Sequence, residues 1–434
     1  MKNIFLSLFI FSVFFIQAEA QNSILENALY ELPDVIFKEI KTSGNFEKTY
    51  ELKIKQLLDH EHPEKGYFYQ RAFLSHKDFD KPMVMYISGY SQGRASGTEL
   101  TKILDGNQLS IEHRYFGTSR PDTMDYQYLT LEQAIEDFHH INTLFRQIYS
   151  GKWASTGISK GGATVIFYKY FYPNDVDACV PYVAPINTEF EEKRMYAFLD
   201  NVGTEECRAR ILAFQKRILQ NRDEVLQLLN VYAQEAKLKF TYLSLEEAFE
   251  YSVLEYPFAF WQYGSSCENI PSDTSSISTA TKYLTKVSGI GAFGDRDIDY
   301  FLPHYYQSAT QMGYYGYRTD EFKDLLKVLP IYPYPHAAIV PKNIPVKFDG
   351  SLLKKVNAWT QKKGDKIIYI YGANDTWTAA AVPKSDKVDA IWFIMKGKSH
   401  GTAKYSEMTP EEKKIFIATL ERWLSMKIVN NEIK

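Results

Sequence analysis

The chain has 434 residues, of which 45% are hydrophobic, 24% charged and 15% aromatic, and its formal net charge is −3. This composition is typical of a globular protein. The length exceeds one typical domain of about 100 to 200 residues, so we expect a large core with a second lobe. The charge pattern predicts no nucleic-acid partner and no anionic membrane as a partner, because binding to polyanions needs clustered Lys and Arg.

The first twenty residues, MKNIFLSLFIFSVFFIQAEA, combine a basic start at Lys2, an apolar run from Ile4 to Ile16, and small residues at the end. This pattern predicts a secretory signal peptide over residues 1–20, cleaved before Gln21. No later segment holds about 18 consecutive apolar residues, so stable membrane insertion is not expected. The prediction is therefore a secreted or periplasmic protein.

The three cysteines are Cys179, Cys207 and Cys267. They form no CxxC pair and no cluster with histidines, which argues against a zinc site. An exported chain can hold a disulfide, and Cys207 with Cys267 is the predicted pair because both fall in the stretch assigned below to a second lobe. Cys179 lies in the strand-like run DACVPYVAP and is interpreted as a small buried core residue.

In chain order, residues 47–76 show two strand-like runs around the turn DHEHPEKG, which predicts antiparallel strands. A compact apolar strand follows at 83–87, and another ends at Glu112. Residues 131–144 have apolar side chains at helical spacing, with Thr130 as N-cap and Gln133 completing a capping box. Strands alternating with helices predict an α/β class with a mostly parallel sheet covered on both faces.

Past Asn187 the strand pattern stops, and residues 190–335 are predicted to be a mainly helical, aromatic-rich cap inserted between two parts of the core, 21–189 and 336–434. The stretch Pro330 to Pro341 is interpreted as the linker back to the core. The core pattern returns with a strand at 366–371, a second strand in VDAIWFIMKG, and a closing helix. That helix has Thr409 as N-cap, Pro410 at its first position and Glu412 three residues after the cap.

The segment GISKGG fits Gly-x-Ser-x-Gly, the nucleophile elbow, in which a sharp strand-to-helix turn presents the serine above the edge of the sheet. Ser159 would then stand at a helix N-terminus, where free N–H groups favour developing negative charge. The N–H of Lys160 could donate one hydrogen bond to an oxyanion. Glycine and serine also form ordinary turns, so the motif alone does not decide the question.

A serine hydroxyl needs an imidazole to take its proton, and the imidazole needs a carboxylate to fix its tautomer. In α/β-hydrolases the chain order is serine, acid, histidine, with the last two in loops after late strands. Asp375 and His400 occupy such loops, ANDTW and KSHGT, although a turn carboxylate and a surface histidine are the alternatives. The loop YISGYSQG is predicted to supply the second oxyanion donor through the N–H of Tyr90.

Several segments resemble the secreted bacterial tripeptidyl-aminopeptidase family of serine peptidases, which is related to the lysosomal Pro-Xaa carboxypeptidase and dipeptidyl-peptidase II family. They include IEHRYFGTSRP, YLTLEQAIEDFHH, GISKGG, FWQYG, GANDTW and KSHGT. The resemblance implies an α/β-hydrolase core with a helical cap, and Ser159, Asp375 and His400 as the triad. The eukaryotic relatives have a motif like GGSYGG at the elbow, so Lys160 favours the bacterial branch, and a preference for proline is implied only weakly.

The implied function is an exopeptidase that releases dipeptides or tripeptides from peptide N-termini without a cofactor or metal. Such an enzyme must bind an ammonium group, for which Glu112, Glu189 and Glu191 are the candidates. An internal salt bridge to Arg114 or Arg120 is an equally good interpretation of Glu112. A carboxylesterase or lipase of the same fold is the alternative function, and a binding protein without activity is a third. The oligomeric state is left open.

Overall fold

The computed structural model describes residues 24–330, 333–341 and 343–429. The predicted signal peptide, residues 1–20, lies outside the described residues. Within these ranges, no helix is both long enough and apolar enough to cross a membrane.

One nine-stranded sheet forms the centre of the molecule, in the order β1-β2-β3-β5-β4-β6-β7-β8-β9. The first three strands and β5 pair antiparallel, and the strands from β5 onward pair parallel. Strand β8 is buried along its whole length, as expected for a parallel strand covered on both faces. The strands are β1 (Val35–Ile40), β2 (Lys48–Leu57), β3 (Tyr67–His76), β4 (Met83–Ile87), β5 (Asn107–Ile111), β6 (Trp153–Ile158), β7 (Ala178–Tyr182), β8 (Ile367–Gly372) and β9 (Ala390–Met395).

Helices connect the strands, and a further helical segment at 24–31 precedes β1. In chain order they are α1 (Glu99–Leu104), α2 (Leu131–Phe145), α3 (Lys160–Phe171), α4 (Arg194–Asn201), α5 (Glu205–Gln220), α6 (Arg222–Glu235), α7 (Leu245–Gln262), α8 (Ile277–Ser288), α9 (Asp295–Gln307), α10 (Pro335–Ile339), α11 (Ser351–Thr360) and α12 (Pro410–Leu424). Alternate residues of β4 face opposite sides of the sheet. Met85 packs in the core with α2, α3 and α11, whereas Val84 packs in the core with α1 and α12. Helices therefore cover both faces of the sheet.

Helices α4 to α9 lie between β7 and β8 in the chain, and we refer to them as the cap. Most of their buried side chains form a third hydrophobic core that is distinct from the two cores on the sheet. A disulfide joins Cys207 at the start of α5 to Cys267, with a Cα–Cα distance of 5.6 Å, and Cys179 is free and buried in β7. The predicted disulfide and the predicted environment of Cys179 are both confirmed. The boundaries at residues 190 and 335 remain a prediction.

Two local predictions need correction. Thr130 caps α2 through the N–H of Gln133, but the capping box is not completed. The Gln133 side chain instead accepts a hydrogen bond from the N–H of His60 and donates one to Asp59, because the turn between β2 and β3 packs against the start of α2. The stretch predicted as a linker holds the short helix α10, whose His336 is fully buried.

Candidate active site

The serine of the predicted elbow stands between β6 and α3 in a strained backbone conformation. Ser159 has φ 56° and ψ −123°, outside the regions that L residues usually adopt. A Cβ added to Gly157 would come within 2.5 Å of the backbone of Gly161, and one added to Gly161 would come within 2.5 Å of the carbonyl oxygen of Ile87. Glycine is therefore required on both sides of Ser159, because the helix starts directly against the neighbouring strand.

Asp375 and His400 meet at the ends of two adjacent strands. Asp375 follows β8 and is fully buried, and its Oδ2 lies 2.7 Å from Nδ1 of His400, which follows β9. The other carboxylate oxygen accepts the N–H of Trp377 at 3.1 Å. The backbone N–H of His400 donates to the carbonyl of Gln262 at the end of α7, so the cap helps to position the histidine loop. This geometry fixes the imidazole with Nε2 free of the carboxylate.

The two predicted oxyanion donors are linked by a buried lysine side chain. Lys160 Nζ donates to the carbonyl of Gly89 at 2.9 Å and lies 5.8 Å from the centre of the Tyr90 ring. In a planar trans peptide the carbonyl and the following N–H point in opposite directions, so this contact holds the Tyr90 N–H facing away from the lysine. Among the described residues, the hydrogen-bond partner of that N–H is Ser88 Oγ, at 3.3 Å. Burial lowers the pKa of Lys160 well below its usual value.

Ser159 opens into a cavity of about 190 Å³ between the sheet and the cap. The described part of its lining is mostly aromatic, with one carboxylate and neither Lys nor Arg. The lining residues are Tyr90, Ser159, Glu255, Gln262, Tyr263, Ala292, Phe293, Phe301, His304, Tyr305, Tyr314, Tyr315, Tyr317, Pro335 and Trp377. The aromatic rings of this lining suit the apolar side chains of a ligand.

The three glutamates considered from the sequence do not line this cavity. Glu112 is fully buried, and its carboxylate accepts from the guanidinium of Arg71 at 2.6 Å and from the N–H groups of Gln92, Thr118 and Ser119. The internal salt bridge exists, but with Arg71 instead of Arg114 or Arg120. Because its oxygens are already engaged, Glu112 does not suit the role of binding a substrate ammonium group.

Glu189 and Glu191 are also absent from the lining of the cavity that Ser159 faces. Glu191 accepts hydrogen bonds from the hydroxyl groups of Tyr196 and Tyr334, and Glu189 lies beside it at the start of the cap. The carboxylate that does line the cavity is Glu255 on α7, which was not among the residues predicted from the sequence. The available signal was one acidic residue inside the otherwise apolar and aromatic run Val253–Trp261.

The sheet order, the helices on both faces and the elbow at Ser159 define an α/β-hydrolase fold, as the sequence predicted. The chain belongs to the PS-10 peptidase S37 family, whose sequence model matches residues 18–431. The protein is thus a serine peptidase, and the resemblance to the bacterial tripeptidyl-aminopeptidase family is confirmed.

The chain is 31% identical to a prolyl tri/tetrapeptidyl aminopeptidase of Streptomyces mobaraensis, over 92% of this chain and 84% of that protein. It is 26% identical to a probable serine protease, EDA2, of Arabidopsis thaliana, over 56% of this chain and 53% of that protein. Among solved structures it is similar to a proline iminopeptidase of Mycobacterium smegmatis, with 11% identity, a TM-score of 0.38, and coverage of 86% of this chain and 97% of that one.

Proposed function

We propose that the protein is a secreted exopeptidase that releases dipeptides or tripeptides from the N-termini of peptides through an acyl-enzyme. The observation that carries the proposal is the 2.7 Å contact between Asp375 and His400, in loops of the same sheet whose elbow serine opens into the cavity. Ser159, His400 and Asp375 are the proposed triad. Export rests on the sequence of residues 1–20 alone.

In the first step, Ser159 Oγ attacks the scissile carbonyl carbon while His400 Nε2 takes the hydroxyl proton. The resulting oxyanion accepts hydrogen bonds from the N–H groups of Lys160 and Tyr90. The C–N bond then breaks, His400 gives its proton to the leaving amine, and the N-terminal fragment remains as an ester on Ser159. Water, deprotonated by His400, hydrolyses that ester and regenerates the hydroxyl. Asp375 stabilises the imidazolium in both halves.

The aromatic lining supports apolar side chains, proline among them, in the part of the substrate that enters the cavity. The similarity to a prolyl tri/tetrapeptidyl aminopeptidase supports the same preference and the release of short peptides. Partners are therefore peptides with an unblocked N-terminus.

The test uses fluorogenic dipeptide and tripeptide substrates, with free or acetylated N-termini and with or without proline before the reporter, beside a p-nitrophenyl ester. Wild type is expected to cleave free-amine peptides. Ser159→Ala and His400→Ala should each lose at least about 10³-fold in kcat, and the double variant should be little worse because the residues act as a unit. Cleavage of the ester without any peptide would favour the esterase alternative.

A further inference from the structure

The carboxylate of Glu255 lies on the cavity side of α7, in a setting of tyrosine hydroxyl groups. Tyr315 donates to its two oxygens at 3.0 and 2.9 Å, and Tyr317 donates to Oε2 at 2.6 Å. The side chain is partly exposed to the cavity that also holds Ser159. The described residues around it supply hydrogen bonds but no positive charge.

In lacking a cationic partner, the partly exposed Glu255 differs from the buried acids. The five fully buried carboxylates of the described residues each pair with Arg or His. The pairs are Glu112 with Arg71, Asp137 with Arg114, Glu192 with Arg194, Glu250 with Arg222 and Asp375 with His400. Within the described chain Glu255 has no such salt bridge. Burial accordingly raises its pKa to about 7, against the lowering effect of the two tyrosine hydrogen bonds.

Glu250, five residues earlier on the same helix, shows how a glutamate with a purely structural role is neutralised and hydrogen-bonded here. It binds Arg222 and accepts hydrogen bonds from the N–H groups of Lys327, Val328 and Leu329. Every lone pair is used inside the protein. Glu255 keeps a carboxylate with an unbalanced charge at the wall of a cavity, which is the condition for binding a cation from outside.

We propose that Glu255 binds the α-ammonium group of the peptide substrate and so selects unblocked N-termini. This inference rests on the proposed function, since it places the substrate's first residue in the cavity that Ser159 faces. The aromatic rings beside Glu255 enclose the first side chains, and the ammonium group supplies the missing positive charge. Glu255 thus takes the role that the sequence suggested for Glu112.

The other titratable groups that face Glu255 are neutral near pH 7, so they add no charge to that of its carboxylate. They are Tyr263 at the end of α7, Tyr305 on α9, and Tyr314, Tyr315 and Tyr317 in the segment after it. Burial raises the pKa of each phenol, so all remain neutral near pH 7. His304 also lines the cavity, and burial lowers its pKa well below the usual value, so it adds no competing cation.

The first test compares Glu255→Gln with wild type on a matched pair of fluorogenic tripeptides, one with a free amine and one in which hydrogen replaces the amine. Wild type is expected to favour the free amine strongly in kcat/KM, and Glu255→Gln should lose at least about 100-fold on that substrate and most of the preference. Glu246→Gln makes the same chemical change on the exposed face of α7 and serves as the control. Retention of the wild-type preference by Glu255→Gln would overturn the proposal.

Labelling with a fluorophosphonate reports separately whether the serine site of each variant is intact. If wild type labels and cleaves esters but no peptide, the proposed function fails. If wild type cleaves free-amine peptides and Glu255→Gln does so with equal preference, only the role of Glu255 fails.

A wild-type measurement decides the case even if Glu255→Gln does not fold. The free-amine preference should fall on the acid side as Glu255 gains a proton near pH 7, and on the alkaline side as the substrate ammonium loses one near pH 8. Effects of His400 are common to both substrates and cancel in the ratio. A ratio that stays constant from pH 5 to 9 would contradict the proposal.

Discussion

Replacing Glu255 by glutamine should stabilise the folded protein at alkaline pH. The pKa of Glu255 rises from 4.5 to about 7 on folding. Between these values the folded chain holds a proton that the unfolded chain has released, so the free energy of unfolding falls as the pH rises through this window. Above pH 7 the loss is complete and amounts to about 3 kcal/mol, at roughly 1.4 kcal/mol per pKa unit.

Glutamine keeps the shape and can accept from the tyrosine hydroxyl groups but never ionises. Glu255→Gln should therefore exceed wild type by up to about 3 kcal/mol at pH 8 and by little at pH 5. For a chain of about 400 residues, with an unfolding entropy of roughly 2 cal/mol/K per residue, this corresponds to a Tm higher by about 4 °C at pH 8. Thermal unfolding followed by intrinsic fluorescence at both pH values measures the difference.

Glu246→Gln, on the solvent face of the same helix, controls for the loss of one negative charge. Its Tm should stay within about 1 °C of wild type at both pH values, because an exposed ion pair contributes little. The reasoning fails if Glu255→Gln melts at or below the wild-type temperature at pH 8, or if the shift is equal at pH 5 and pH 8. Either result would show that the carboxylate is already balanced in the folded state.

Three further predictions concern other parts of the molecule. Lys160→Met should lower kcat about tenfold or more with little change in KM, because the 89–90 peptide loses its anchor; an unchanged kcat in steady-state assays would exclude this positioning role. Asp375→Asn should lower kcat by about 10⁴-fold with an unchanged Tm, since the imidazole loses its tautomer control, and a loss under tenfold would remove Asp375 from the triad. Joint replacement of Cys207 and Cys267 by serine should lower stability by about 4 kcal/mol, because the bond closes a loop with a sequence separation of 60. Denatured wild type should show one free thiol, and a count of three would disprove the disulfide.

The geometry around the proposed triad could be anticipated because each residue is marked by its own local sequence. Ser159 sits in a glycine pattern that is typical of the strand-to-helix elbow, and Asp375 and His400 each fall in a loop that follows an apolar strand. Parallel strands end at the same edge, so successive loops are brought together without knowledge of the full topology. The helix cap at Thr409 is equally local, and its capping box with Glu412 is present.

Contacts between distant segments could not be anticipated in the same way. The partner of Glu112 is Arg71, 41 residues earlier on β3, and sequence proximity favoured Arg114 or Arg120 instead. Arg114 is in fact fully buried against Asp137 on α2. The Gln133 side chain likewise binds the turn at His60, 73 residues earlier, instead of completing the capping box with Thr130. The predicted partners of Glu112 and Gln133 were wrong because their actual partners are distant in the sequence and come close only in the folded sheet.

Glu250 and Glu255 show why the substrate side of such a site is the hardest to predict. Both are glutamates on α7, and although Glu255 stands in the more apolar run, that pattern does not show which partners each carboxylate meets in the fold. Glu250 is satisfied by Arg222 and three N–H groups, whereas Glu255 accepts hydrogen bonds from tyrosine hydroxyl groups and has no salt bridge among the described residues. The proposed binding of the substrate ammonium group would supply the positive charge that Glu255 lacks. On this reasoning the residues that recognise substrate are found among groups whose charge the protein leaves unbalanced.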